Sequence, residues 1–163
     1  MTIRAVLLSL SIGVCGCGSD GSYELRWTIG CDQAAACEVK RVKDCSQYGL
    51  DSVEVLARTA GAAGDEDRST FSCFSPDEGA VGRGPGLPGG AMDLLVYGLS
   101  ASGLRLTDPV TISAQIPDEG LVSVQVEIPH PPQCRDGVDN DLDGLVDLFD
   151  PDCLDGNDAD EGS

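Results

Sequence analysis

Positive charge, aromatic rings and imidazole are all scarce in this chain. Ten Lys and Arg face 28 Asp and Glu in 163 residues, a net charge of −18. A surface of that sign is repelled by nucleic acid and by anionic lipid, which excludes binding to either through basic patches. Three Tyr, three Phe and one Trp do not make a stacked-aromatic platform for sugars, and Trp27 reads as a core residue contributing apolar area. His130 is the only histidine, and Ile128-Pro129-His130-Pro131-Pro132 around it reads as a stiff spacer. A Ser-His-Asp triad would have to recruit that histidine, so no base stands ready to activate a serine. Gly98-Leu99-Ser100-Ala101-Ser102 lacks the second glycine of a nucleophile elbow. The Gly/Pro-rich stretch 77–90 lacks the lysine and hydroxyl residue of a phosphate loop and reads as a mobile surface loop. Eight cysteines include no Cys-x-x-Cys pair, which argues against structural zinc. No catalytic residue is expected, and the chain reads as a non-enzyme.

What is present gathers at the ends. Cys134 to Ser163 carries eleven acids and one arginine, against seventeen acids and eight bases from Cys17 to Gln133. Within this acidic tail runs Asp139-Asn140-Asp141-Leu142-Asp143-Gly144-Leu145-Val146-Asp147-Leu148-Phe149-Asp150, bracketed by Cys134 and Cys153. A hard cation that wants six to eight oxygens is served by side chains at loop positions 1, 3, 5, 9 and 12, a backbone carbonyl at 7 and glycine at 6, where the chain turns sharply. Asp139, Asp141 and Asp143 take positions 1, 3 and 5, Gly144 takes 6 and Leu145 offers its carbonyl at 7. Asp147 takes 9, Asp150 takes 12, and Val146 at 8 supplies the apolar residue such loops turn inward. A solvated acidic tail is the alternative for a block of like charge. It gives no reason for the glycine after the third aspartate, the ninth and twelfth aspartates or the flanking cysteines. Calcium is therefore the expected ion, held by Asp139, Asp141, Asp143, Leu145, Asp147 and Asp150. Asp150 is one methylene shorter than the usual glutamate, which weakens bidentate binding, and Pro151 forbids an ordinary exiting helix.

The loop resembles the aspartate-rich calcium repeats of thrombospondin type 3 and of dockerins, although Asp155-Gly156-Asn157-Asp158 does not supply a dockerin's second loop. Cys134 to Asp147 reads Cys-x-Asp-Gly-x-Asp-Asn-Asp-x-Asp-Gly-x-x-Asp. That pattern is similar to the metal-binding tail on cell-surface lipoproteins of Gram-negative soil bacteria. The other end of the chain agrees. Arg4 supplies one positive charge and Ala5 to Val14 a short apolar stretch, too short to span a bilayer. Val14-Cys15-Gly16-Cys17 resembles a bacterial lipobox, which implies a signal peptide over 1–16 and acylation, palmitate included, at Cys17. Residues 17–21 would then be a lipidated tether. Cys15 is the competing site, but Val14 before it is bulky where a small residue is expected. A simple secretory signal, leaving the chain periplasmic or secreted, is the alternative. By resemblance to enteric lipoproteins, the absence of aspartate after Cys17 favours the outer membrane.

Export places the cysteines where disulfides persist. With Cys15 removed and Cys17 acylated, six cysteines remain, and sequence alone selects none of their fifteen pairings. Proximity and predicted strands suggest Cys134 with Cys153, Cys31 with Cys37, and Cys45 with Cys73. The first closes a loop worth about 3 kcal/mol of chain entropy and would hold the aspartates together against their repulsion.

Between the ends, residues 22–128 read as one all-β domain, followed by a Pro-rich linker over 129–133 and the calcium-binding tail over 134–163. Tyr23, Leu25, Trp27 and Ile29 alternate with Glu24, Arg26 and Thr28, the period of a half-buried strand. The pattern recurs at Val53-Val55-Ala57, Phe71-Cys73, Met92-Leu94-Val96, Val110-Ile112-Ala114-Ile116 and Val122-Val124-Val126-Ile128. A single helical turn is expected between Asp44 and Tyr48, capped by Asp44 with Gln47 reaching back. Ser100 to Gly103 and Pro117 to Gly120 look like short hairpin connections. Six or seven such strands imply an antiparallel β-sandwich of immunoglobulin-like or transthyretin-like type, with a small barrel as the competitor. The order of Gly49 to Val55, Phe71-Ser72-Cys73 and the Pro/Gly loop before Ala91 is similar to the sandwich domains of the same lipoprotein group. The expected function is a calcium-stabilised envelope lipoprotein, tied to the membrane by its lipid, whose sandwich contacts an unidentified envelope protein or polysaccharide in adhesion or another surface interaction. An envelope binder of copper, or a tail that sorts the chain to the surface, are the alternatives. Copper is poorly served, since it prefers imidazole and sulfur over hard carboxylates.

Overall fold

A computed structural model describes residues 20–30, 45, 48–62, 66–73, 80–158 and 160–162. The signal segment 1–16, the lipidation site Cys17 and the Cys31–Cys37 pair lie outside the described residues, as do Asp44 and Gln47. Seven strands run in order: β1 (Gly21–Ile29), β2 (Ser52–Thr59), β3 (Asp67–Ser72), β4 (Ala80–Arg83), β5 (Gly90–Leu99), β6 (Val110–Ile116) and β7 (Gly120–Ile128). They form two sheets, β4-β1-β7 and β3-β2-β5-β6. No α-helix occurs among the described residues.

The alternation found in the sequence becomes the interior of this sandwich. Tyr23, Leu25, Trp27 and Ile29 of β1 are each 3% exposed or less, and they meet Val53, Val55, Leu94, Val96 and Ile116 from the opposite sheet. Trp27 stacks on Phe71 with ring centroids 6.3 Å apart. A second, smaller apolar cluster of Leu56, Tyr97 and Leu99 lies apart from this core.

The expected β-sandwich is formed, with one detail refined and two local expectations corrected. First, the sandwich is not wholly antiparallel: β1 and β7 run parallel, in register from Gly21 opposite Gly120 to Ile29 opposite Ile128. Every other strand pair is antiparallel. A period of two fixes which face a side chain takes and carries no information about the direction of the neighbouring strand. Second, the stretch 77–90 holds a strand: β4 pairs antiparallel with β1, and Leu87, fully buried, bridges to Gly21. Gly82 and Gly84 permit close approach. A Cβ on Gly82 would lie 2.3 Å from the Phe71 ring, and one on Gly84 2.0 Å from the Tyr23 ring. Third, Pro117 to Gly120 is not a hairpin turn, because β6 and β7 belong to different sheets. It carries the chain across the sandwich. Ser100 to Gly103 does turn back on itself, with Leu99 bridged antiparallel to Arg105. The expected turn before Tyr48 closes by the amides of Tyr48 and Leu50 donating to the carbonyl of Cys45.

Strands one, two, five and four form one sheet of an immunoglobulin constant domain, whereas here strand two sits with three, five and six. Charges are paired on the strands. Glu24, 8% exposed, takes Arg26 at 2.7 Å and Arg83 at 3.3 Å, while Glu54, 5% exposed, takes Arg105 at 2.6 Å and Arg68 at 3.1 Å. The hydrogen bond from Arg26 and the charges of Arg26 and Arg83 hold the Glu24 carboxyl below its ordinary range, outweighing desolvation. Arg105 also lies over the Tyr97 ring at 3.9 Å.

Candidate metal centre

The tail is built against the sandwich, and the Pro-rich segment packs as it passes. Pro131 is fully buried, and the His130 ring meets the Tyr48 ring edge-on at 5.1 Å. A 3-10 turn over Gln133–Arg135 then sends the Arg135 guanidinium to the carbonyl of Leu106 at 2.8 Å. Gly49, at φ +68°, admits the tail's backbone, since a Cβ there would lie 1.9 Å from the carbonyl oxygen of Asp136. Two of the expected disulfides are formed, Cys45–Cys73 and Cys134–Cys153, each with Cα atoms 5.6 Å apart.

Between Cys134 and Cys153 the chain coils by accepting its own amides on carboxylates. Asp139 Oδ2 accepts from Gly144 at 3.0 Å, Asp141 Oδ1 from Asp143 at 3.1 Å and Asp143 Oδ1 from Leu145 at 2.8 Å. Each bond closes a short turn through an aspartate carboxylate, the habit that suits aspartate to tight turns. Gly144 adopts φ +94°, and Leu142 and Asp147 take φ +66° and +53°, a conformation that costs side-chain-bearing residues energy. The result gathers Asp139, Asp141 and Asp143, which present ligand oxygens within 4.8 Å of one another. Two oxygens each about 2.4 Å from a calcium ion can stand no more than about 4.8 Å apart, so the spacing fits one ion.

Two atoms add weight. Asp139 Oδ1 and Asp150 Oδ2 are buried and have no hydrogen-bond partner in the protein. Asp150 is 2% exposed, and only its other oxygen is engaged, by the amide of Asp152 at 2.7 Å. A buried carboxylate oxygen without a donor is costly, and a cation is a natural partner for it. The Asp141 carboxyl senses the crowding. Although the Asp143 amide pulls its pKa down, desolvation and the charges of Asp143, Asp150 and Asp139 raise it above the ordinary value.

The ninth and seventh loop positions are held by bonds of their own. Asp147 Oδ1 accepts the Gly137 amide at 3.0 Å, which engages one oxygen of the ninth position with the loop's entrance. Leu145 keeps its backbone turned by its bond to Asp143. Val146 is extended and half-buried, and the chain leaves through a 3-10 turn over Asp147–Phe149 in place of an exiting helix.

Two acidic residues outside the expected set frame the loop. Asp136, 4% exposed, accepts the Val138 amide at 2.8 Å and the Asn140 side-chain amide at 3.2 and 3.3 Å. Burial raises its pKa, and the nearby Asp147 charge adds to the rise against those bonds and the His130 contribution. Glu161, fully buried, accepts the Asn140 amide at 2.6 Å and the Asp147 amide at 2.5 Å. Asp136 lies within the repeating aspartate pattern and was visible there. Glu161 lies well past the loop, where no spacing rule points.

No family model matches this chain, and no curated protein matches it. Among solved structures there is a match to BcpA, the major pilin subunit of Bacillus cereus, at 14% identity and a TM-score of 0.34. It covers 69% of this chain and 30% of that one, so the chain spans under a third of that protein's length.

Proposed function

We propose that this chain is a non-enzymatic lipoprotein of the cell envelope, acylated at Cys17 and displayed on the outer membrane. In this reading its β-sandwich is an adhesion or other interaction module for an envelope protein or polysaccharide, and its tail is a structural calcium clasp. The observation that carries the calcium reading is the pair of buried, partnerless carboxylate oxygens on Asp139 and Asp150 beside the convergent trio. All the donors are hard oxygens, as calcium requires. Copper finds no such welcome. The His130 ring is packed against Tyr48, with Nδ1 on the Pro131 carbonyl, and Cys134 and Cys153 are consumed in a disulfide. The two disulfides support an oxidising compartment. Calcium acts here by neutralising carboxylates that otherwise repel, so that metal binding and ordering of the tail are one event.

The test is calorimetric titration of the mature chain with calcium and, in competition, with copper. Calcium heats in the millimolar range typical of extracellular modules are expected, lost in Asp139→Ala and in Asp143→Ala. Unchanged heats in both variants would sink the assignment. Mass spectrometry of the chain from its own envelope checks the lipid at Cys17.

A further inference from the structure

The buried carboxylate of Glu161 has no role in the calcium loop as a sequence pattern, yet it grips the loop at two points. We propose that Glu161 is a positioning residue of the calcium site, setting its affinity by fixing loop positions 2 and 9 from outside the loop; the proposal rests on the calcium reading above. Its Oε2 accepts the Asn140 amide and its Oε1 the Asp147 amide, while its own amide donates to Gln133 Oε1 at 2.9 Å. Gln133 immediately precedes Cys134. The residue therefore ties the start of the tail, the first turn of the loop and the last turn of the loop to one point. Glu161 is 0% exposed.

The chemistry explains why a carboxylate is needed. Two amide donors converge on two oxygens, and only an ionised carboxyl offers acceptors at both ends without a competing proton. Held there, the Asn140 amide fixes the backbone between Asp139 and Asp141, and the Asp147 amide fixes the turn that leads to Asp150. Asp139, Asp141 and Asp150 are thus positioned before the ion arrives. By linkage, calcium and the seating of Glu161 favour each other to the same extent.

The test compares the mature wild-type chain with Glu161→Gln and with a chain ending at Asp160, by calcium calorimetry and by amide NMR. Glutamine keeps the shape but presents an NH2 where one amide needs an acceptor. Loss of a partner that orients metal ligands costs about 10- to 100-fold in affinity. That loss is expected in Glu161→Gln, with the truncated chain no better. The Asn140 and Asp147 amide protons should resonate downfield in the wild type and shift upfield in Glu161→Gln, a change that mere packing of the segment would not produce. The melting temperature of the sandwich should stay constant. Wild-type affinity in Glu161→Gln with loss only in the truncated chain overturns the proposal, since packing and not the carboxylate would then matter. Absence of calcium binding in the wild type would instead defeat the calcium reading itself.

Discussion

Replacing Cys134 and Cys153 by alanine together removes the covalent closure of the loop and leaves every proposed ligand in place. The two cysteines are 19 residues apart in sequence. Closing a loop of that length removes about 3 kcal/mol of chain entropy from the unstructured tail. In the calcium reading proposed above the ion would bind only the assembled loop, so the cost of assembly would appear in the dissociation constant. At about 1.4 kcal/mol per tenfold, the full term weakens calcium about a hundredfold. That is a ceiling, because Arg135 on the Leu106 carbonyl, Asp136 against Gly49 and Glu161 on two loop amides still restrain the tail. The expected loss is therefore between about tenfold and about a hundredfold. Calorimetry at fixed ionic strength reads the constant, and circular dichroism follows the sandwich, whose Cys45–Cys73 bridge is untouched. A wild-type chain that binds calcium and a double variant that binds it within about twofold would refute the account, for the ligands would then be organised without the clamp.

Two further perturbations separate docking from strain and tail from sandwich. Gly49→Ala should release the tail, because the new Cβ meets backbone that cannot yield, on top of a left-handed cost of about 1–2 kcal/mol. Gly61→Ala, at φ +73° with nothing within 4 Å, shares only the conformational cost, so faster proteolysis of residues 134–162 in the first variant and not the second isolates the contact; equal rates would remove Gly49 from the interface. In calcium-free buffer the two halves should respond to acid with opposite sign. Asp136 binds its proton more tightly folded than unfolded, so the tail gains stability as pH falls through its raised pKa toward the ordinary 3.8. Glu24, held low by Arg26, contributes stability above the ordinary 4.5 that is lost as pH falls through its depressed folded value. Hydrogen exchange corrected for intrinsic rates should show protection rising around residues 136–140 and falling in β1 and β4, and a uniform response would contradict both assignments.

How much of this was legible depends on the range of the interaction involved. The faces of β1, β2, β5, β6 and β7 follow from alternation alone, since burying one side of a pleated strand selects every second residue. β4 was hidden because Gly82 within it and the glycines after it look like loop composition; Gly82 and Gly84 are small so that the Phe71 and Tyr23 rings can lie against the backbone, a demand set by residues distant in sequence. Asp139, Asp141 and Asp143 converge through bonds spanning two to five residues, which is why spacing sufficed. Asp147, by the same spacing a ligand, also has one oxygen accepting the Gly137 amide, a bond back to the start of the tail that the spacing does not show.

The sequence by itself determined the all-β sandwich class, the pairing of Cys45 with Cys73 and of Cys134 with Cys153 as candidates, and the acidic trio, because these rest on local periodicity and short chain separations. Tertiary structure alone decided that β1 runs parallel to β7, that the tail seats in the space left by Gly49, and that Glu161 closes the loop from outside. Those three depend on which distant backbones come into contact, and hydrophobic burial and hydrogen-bond satisfaction settle that only when the whole chain is folded.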